Sequence, residues 1–255
     1  WSPAAQGFAK KQGVSVGQLC TQQDAKGREV LAVHVHKKGL KLNHFLQNLI
    51  PECIKELPLP IAMHWGNNQG PFFRPIQWLT SLLNNQLLPM TLFDVEAGII
   101  TYSHRFLCQS SSSLGKAIEL KNTDQYEAIL KEAFVLVDVN ARKKQIIESL
   151  NATQNSDYKH LIDELCWLCE WPQGLTIHFD DDFLTLPKEV LSASMVKHQK
   201  YMPCFDKAHK MINQALVITD NLNKHNKDIL IQGNQAVLSA RLNDARFFWE
   251  QDTQR

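Results

Sequence analysis

Long apolar runs are missing from this 255-residue chain. No stretch approaches the roughly 20 apolar residues that a membrane-spanning helix requires, so no span or anchor is expected. An excess of charge is missing too. With 27 basic and 26 acidic side chains the formal net charge is +1, which supplies no global field to draw the chain onto nucleic acid. Any RNA contact must therefore be a local patch. The sequence also has no Walker-type glycine loop, no Gly-x-Gly-x-x-Gly turn, no Gly-x-Ser-x-Gly elbow and no His-Asp dipeptide of the metal-phosphohydrolase type. These absences leave no complete active site legible as a motif, and no catalytic residue is assigned. Internal repeats are absent, and the only low-complexity run is the polar stretch Ser110 to Ser113. Cysteines are few and scattered (Cys20, Cys53, Cys108, Cys166, Cys169 and Cys204). A chain of this size needs no covalent staples, so they read as reduced thiols without disulfides, which points to the cytoplasm. The opening Trp1-Ser2-Pro3 lacks both Met and the basic-then-apolar layout of a secretory leader, and reads as a trimmed chain.

What is present is an ordinary globular composition, 44% hydrophobic and 21% charged, with irregularly mixed helix and strand signals. Val30 to Val35 suits a strand. Leu40, Leu42, Phe45, Leu46, Leu49 and Ile50 recur at helical spacing. Gly66 to Pro71 reads as a loop, and Ile76 to Leu83 is open between helix and strand. Gln86 to Val95 and Gly98 to Leu107 read as strands joined by a Glu-Ala-Gly turn. Thr123-Asp124 starts a helix, Val135 to Val139 reads as a buried strand, and Ala141 to Leu150 and Lys159 to Glu170 read as helices. A strand near Leu175 to Phe179, a helix from Lys188 to His198 and a short strand Leu216 to Ile218 follow. Gly233-Asn234 reads as a stop and cap before a last helix with the apolar stripe Val237, Leu238, Leu242, Ala245, Phe248 and Trp249. Without a regular βαβ repeat, the pattern predicts an α+β fold of helices and mostly antiparallel sheet. Its expected divisions are 1–70, 71–220 and 221–255.

Several constellations invite chemistry. Cys166 and Cys169 have the spacing of half a zinc site, Asp180 to Asp182 could attract a hard cation, and His34 and His36 share a strand face. Each lacks the further ligands a metal needs, so none is predicted. Three clusters mix basic and aromatic side chains, the pairing that grips phosphates and stacks bases: Phe72-Phe73-Arg74-Pro75 with Trp78, Thr101-Tyr102-Ser103-His104-Arg105-Phe106, and Lys197-His198-Gln199-Lys200-Tyr201. The last helix adds Arg241 and Asp244 on its charged flank. Arg74, His104, Arg105, Lys197, His198, Lys200, Arg241 and Asp244 are therefore the candidates for RNA or subunit contact.

Read in order, these clusters belong to a longer series of blocks. Ala5-Gln6-Gly7-Phe8-Ala9-Lys10, Leu57-Pro58-Leu59-Pro60 with Met63-His64-Trp65-Gly66, Phe73-Arg74-Pro75 and Ser103-His104-Arg105-Phe106 come first. Glu170-Trp171-Pro172, Leu186-Pro187-Lys188-Glu189-Val190-Leu191, His198-Gln199-Lys200-Tyr201 and Gly233-Asn234 through Phe247-Phe248 complete it. The series resembles the β subunit of bacterial two-subunit glycyl-tRNA synthetase over nearly the whole chain. Departures fall at Ser103, where the family usually has Gly, at His64, which stands for the family's basic residue before Trp-Gly, and at Asp220, usually Asn.

The resemblance implies an α2β2 glycine–tRNA ligase, an aminoacyl-tRNA synthetase of protein biosynthesis. In it the α subunit activates glycine with ATP and Mg²⁺ and the β subunit binds and positions tRNA(Gly). It also implies a part similar to the editing-type domain of the larger phenylalanyl-tRNA synthetase subunit. The HD-type and anticodon-binding domains that follow in the family are outside this chain, so the fragment alone is expected to be inactive. Two rival roles remain open: a hydrolase that edits mischarged tRNA, and a scaffold that only joins subunits.

Overall fold

A computed structural model describes residues 1–36, 38–67, 69–150 and 158–254. Asn68, in the turn-rich stretch, lies outside the described residues. The chain forms two compact units, Trp1–Glu52 and Cys53–Arg255.

The first unit begins with α1 (Pro3–Gln12), whose ends are written in the sequence. Ser2 caps it by accepting from the Ala5 amide, Pro3 sits in its first turn, and Gly13 closes it in the left-handed region. The antiparallel pair β1 (Leu19–Gln23) and β2 (Glu29–Val33) follows, and Ala5, Ala9 and Leu19 are buried together as a small core. The boundary between units falls within α2 (Leu42–Lys55).

The second unit starts with short strands. β3 (Met63–Trp65) pairs with β4 (Gln69–Phe72), so the expected loop is the tip of a hairpin whose return strand begins at Gln69. β5 (Leu79–Thr80), β6 (Leu82–Leu83), β7 (Gln86–Leu87), β8 (Thr91–Leu92), β9 (Val95–Gly98), β10 (Ile100–Tyr102) and β11 (Ala117–Glu119) follow. Two tight reversals shape this stretch, Asn84-Asn85 between β6 and β7, just before the first long expected strand, and Phe93-Asp94 between β8 and β9, which divides that strand. All four residues have positive φ, as a two-residue turn matched to strand twist demands. Glu96-Ala97-Gly98 is strand rather than turn, and the second expected strand stops at Tyr102. Among the described residues every strand pair but β5–β9 is antiparallel.

Next come α3 (Tyr126–Glu132), α4 (Val139–Glu148) and α5 (Lys159–Leu168). Residues 135 to 138 are not a strand. The Leu136 amide donates to the Glu170 carbonyl, and the Leu136 and Val137 carbonyls accept from the Arg142 guanidinium. Asp138 caps α4 through the Asn140 and Ala141 amides. A side chain replaces the ladder here, which apolar periodicity cannot reveal.

The centre is a three-stranded antiparallel sheet of β12 (Gln173–His178), β13 (Met202–Phe205) and β14 (Met211–Thr219), ordered β12-β14-β13. Between β12 and β13 lie α6 (Lys188–Ser192) and a π-helical turn, Ala193–Gln199. β14 runs nine residues, well beyond the expected Leu216 to Ile218. Alternate residues leave on opposite faces. Ala215 and Val217 enter one core with Ile177, Met195, Leu238 and Leu242. Leu216 and Ile218 enter another with Ile146, Leu165, Cys166 and Met202. Cys166 and Cys169 are buried free thiols of that second core. Burial pushes the Cys169 thiol up to about 12, so it remains an apolar filler at neutral pH.

The last helix, α7 (Lys227–Thr253), passes straight through Gly233-Asn234. Asn234 is no cap. Its amide donates to the Leu230 carbonyl, and its oxygen accepts from the Tyr201 hydroxyl at 2.6 Å. Of the expected stripe, Leu238 and Leu242 are fully buried, whereas Phe248 is 64% exposed and Trp249 is half-exposed. Phe248→Ala should consequently lower stability by no more than about 1 kcal/mol in urea unfolding of this chain, far below the roughly 3–5 kcal/mol of a buried ring. No helix of the described residues is long and apolar enough to cross a membrane.

Candidate functional site

An open cleft of about 610 Å3 in the second unit gathers residues from six separated stretches. It is organised around His104. The Ser103 amide donates to the Lys116 carbonyl, and the Lys116 amide donates back to the Ser103 hydroxyl at 2.9 Å. Gly115 stands beside them at φ +104°, where a Cβ would sit 2.4 Å from the Ser103 carbonyl oxygen, so only glycine fits this approach. The His104 amide donates to the Ala133 carbonyl. The chain then turns around the imidazole, and the Phe106 and Leu107 amides both donate to Nδ1 at 3.2 Å.

Those two donors decide the tautomer. Nδ1 must offer its lone pair, so the ring proton is on Nε2. Nε2 lies 3.3 Å from Oδ2 of Asp220, yet the alignment is too poor for a hydrogen bond and Nε2 has no such partner. The other Asp220 oxygen accepts from the Trp171 amide at 2.6 Å. Glu170 completes the group: one ligand-type atom each from His104, Glu170 and Asp220 lies within 4.8 Å of the others. Glu170 is exposed as a residue, but its neighbours strip part of its carboxyl's hydration. That loss and the negative charge of Asp220 raise its pKa, against the pull of His104, Arg105 and Arg142. A cation would need the Nε2 lone pair and a proton on Nδ1, where two amide donors already point. The geometry therefore favours an N–H at Nε2 over a metal ligand.

The walls are aromatic and basic. Trp78 and Tyr102 meet edge to face at 4.8 Å, Phe106 and Tyr126 add further rings, and the exposed Arg74 and Arg105 line the same opening. His104 itself is only 1% exposed, so its ring can meet a ligand only through the cleft.

The other candidates are placed elsewhere. His198, Arg241 and Asp244 line a smaller hollow of about 230 Å3 with Ser194, Ala245 and Phe248, and the Arg241–Asp244 separation is 4.0 Å. Lys197 is exposed on the π-helical turn. Lys200, in the left-handed region at the end of that turn, pairs with Glu164 at 2.9 Å. Exposed pairs of this kind contribute little. The sequence candidates thus fall into two groups, and neither contains Lys197 or Lys200. Glu170 and Asp220 were not among the candidates. The signal that could have found Asp220 is its departure from the usual Asn; Ser103, another departure, also touches His104, its hydroxyl donating to the His104 carbonyl.

Comparison with known proteins decides the family. The model of the family described as glycyl-tRNA synthetase beta subunit matches residues 1–255. The chain belongs to the glycyl-tRNA synthetase β-subunit family. It is 38% identical over 259 residues to a glycine–tRNA ligase beta subunit of Lactobacillus gasseri, covering 99% of this chain. It is 36% identical to one of Natranaerobius thermophilus, covering 98% of this chain, and 35% identical to one of Listeria monocytogenes, covering 99%. The chain spans 36% of the length of each of these β subunits. In this chain the cleft is where the blocks carrying Arg74, His104-Arg105 and Glu170 converge.

Proposed function

We propose that this chain serves a glycine–tRNA ligase β subunit by binding and orienting tRNA(Gly), so that the terminal ribose hydroxyl meets the adenylate formed with ATP and Mg²⁺ on an α subunit in an α2β2 assembly. The observation that carries this reading is the family match across all 255 residues. Orientation alone can supply several kcal/mol of rate enhancement without any residue of this chain entering the chemistry. Arg74 and Arg105, beside the rings of Trp78, Tyr102 and Phe106, support it: guanidinium groups contact phosphates while aromatic faces stack unpaired bases. In this reading residues 71–220 are the editing-like body, 1–70 precede it, and 221–255 lead towards the remainder of the subunit.

Fluorescence anisotropy with labelled tRNA(Gly) tests the proposal. Binding by the chain should be weak and salt-sensitive, with a log–log slope of about −0.7 to −0.9 per phosphate contacted. Arg74→Ala with Arg105→Ala should flatten that slope by about two contacts. Salt-independent binding, or a slope the double substitution leaves unchanged, would refute it. Glycine-dependent pyrophosphate exchange by the chain alone would equally contradict a purely positioning role.

A second reading, hydrolysis of mischarged tRNA, is favoured by one feature, the raised Glu170 carboxyl beside Asp220. A carboxylate made more basic by lost hydration and a neighbouring negative charge is better placed to accept a proton from water. Its cost is biological: glycine leaves little room for smaller competitors. Deacylation of mischarged tRNA(Gly) by the chain, lost in Glu170→Gln, would establish it.

A further inference from the structure

The His104 corner of the cleft is built for more than phosphate. Its imidazole is almost wholly buried, and Nε2 carries a proton but no hydrogen-bond partner. A buried N–H left unpaired is costly, and its usual remedy is an acceptor supplied by water or a ligand. Beside it two carboxylates, Glu170 and Asp220, converge within 4.8 Å. Asp220 is tied on one oxygen by the Trp171 amide and lies 3.3 Å from His104 Nε2 on the other; among the described residues Arg105 and Arg142 act on Glu170 only through space, without an ion pair. The corner therefore asks for a compact cation with several N–H donors, and for an acceptor oxygen next to it.

We propose that this corner binds a primary α-ammonium group, seated between Glu170 and Asp220, with the neighbouring carbonyl or carboxyl oxygen accepting from His104 Nε2–H. The ammonium and carbonyl of an amino acid are two bonds apart, so one small group meets both demands. A nucleobase edge brings neutral N–H donors and would leave the two carboxylates uncompensated. Trp78, Tyr102 and Leu130 offer apolar wall to a side chain, and Arg74 and Arg105 offer guanidinium groups to any further anionic atoms of the ligand. A free amino acid and the aminoacyl ester at an RNA end share this chemistry. The inference uses the cleft described above but does not rest on its RNA role.

Isothermal titration calorimetry on the full 255-residue chain, without RNA, separates the possibilities. The probes are the amides of glycine, leucine and phenylalanine, free leucine, 4-methylpentanoate (leucine without its ammonium) and 3′-deoxy-3′-leucylaminoadenosine. At least one ammonium-bearing probe should bind saturably, and 4-methylpentanoate should not. Glu170→Gln, at an exposed position, should weaken the best probe about tenfold, with an unchanged melting curve; Asp220→Asn should act in the same direction. Binding by the adenosine conjugate alone would assign the site to an aminoacylated RNA end. Binding by leucine as well would extend it to the free amino acid. No saturable binding of any ammonium probe up to roughly 10 mM, affinity for 4-methylpentanoate equal to that for leucinamide, or indifference to Glu170→Gln would overturn the proposal. None of these outcomes depends on tRNA affinity, so failure here leaves the positioning role to its own test.

Discussion

Leu242→Ala should cost this chain about 3–5 kcal/mol, the upper part of the range for a buried leucine. Leu242 and Leu238 stand one helical turn apart on α7. Both are completely shielded and packed with Ile177, Met195, Ala215 and Val217. Deleting three carbons there removes apolar contact and leaves a hollow that the flanking sheet, already paired on both sides of β14, is poorly able to close. In a chain of this length each kcal/mol corresponds to about 2–4 °C in melting temperature. A drop of roughly 6 °C or more by calorimetry is the expected result. A loss under about 1 kcal/mol would mean that α7 is not seated on the sheet as described. Leu238→Ala combined with Leu242→Ala should depart from additivity, since the two side chains share one hollow.

Arg142→Met is expected to be nearly as damaging, at about 2–4 kcal/mol. The guanidinium donates to three backbone carbonyls, those of Leu136, Val137 and Cys166, and its face lies 5.8 Å from the Trp167 ring. Methionine retains much of the apolar stem but leaves all three acceptors without this donor. Arg142→Lys keeps the charge but not the fork, so it should recover only part of the loss. Urea unfolding of the two variants checks this. Equal stability of wild type and Arg142→Met would show that water satisfies those carbonyls as well as the arginine does. Because residues 135 and 170 line the cleft and the Leu136 amide is bonded to the Glu170 carbonyl, the same substitution should also perturb ligand binding there.

How far the sequence foretold this structure depends on which interactions shape each segment. The helices at 42–55, 139–148 and 159–168 and the strand at 173–178 were legible because apolar periodicity reports one face buried against a core. Val135 to Val139 misled because Leu136 is buried and its valines are half-buried, while the Leu136 and Val137 carbonyls are met by Arg142, a partner several residues along the chain. Phe93 misled because a bulky residue at positive φ is not a turn signal; its ring is held against Trp65 at 5.5 Å and Phe72 at 6.2 Å, contacts from a different hairpin. Gly233 misled because glycine inside a helix looks like an end, whereas here Asn234 ties that stretch to Tyr201. Of the cleft, the basic and aromatic walls were visible as local clusters. The carboxylate pair was not, since Glu170 and Asp220 are fifty positions apart and meet only because β12 and β14 return both to the same end of the sheet.

The double burial of β14 has a consequence for how this part of the molecule comes apart. Ala215 and Val217 serve one core while Leu216 and Ile218 serve the other, so a single strand is common property of both. A slip of one position would exchange the two sets and spoil both cores at once. Neither half can loosen on its own without stripping the shared strand of one of its coverings, and so α5 on one side and α7 on the other are bound into a single cooperative unit.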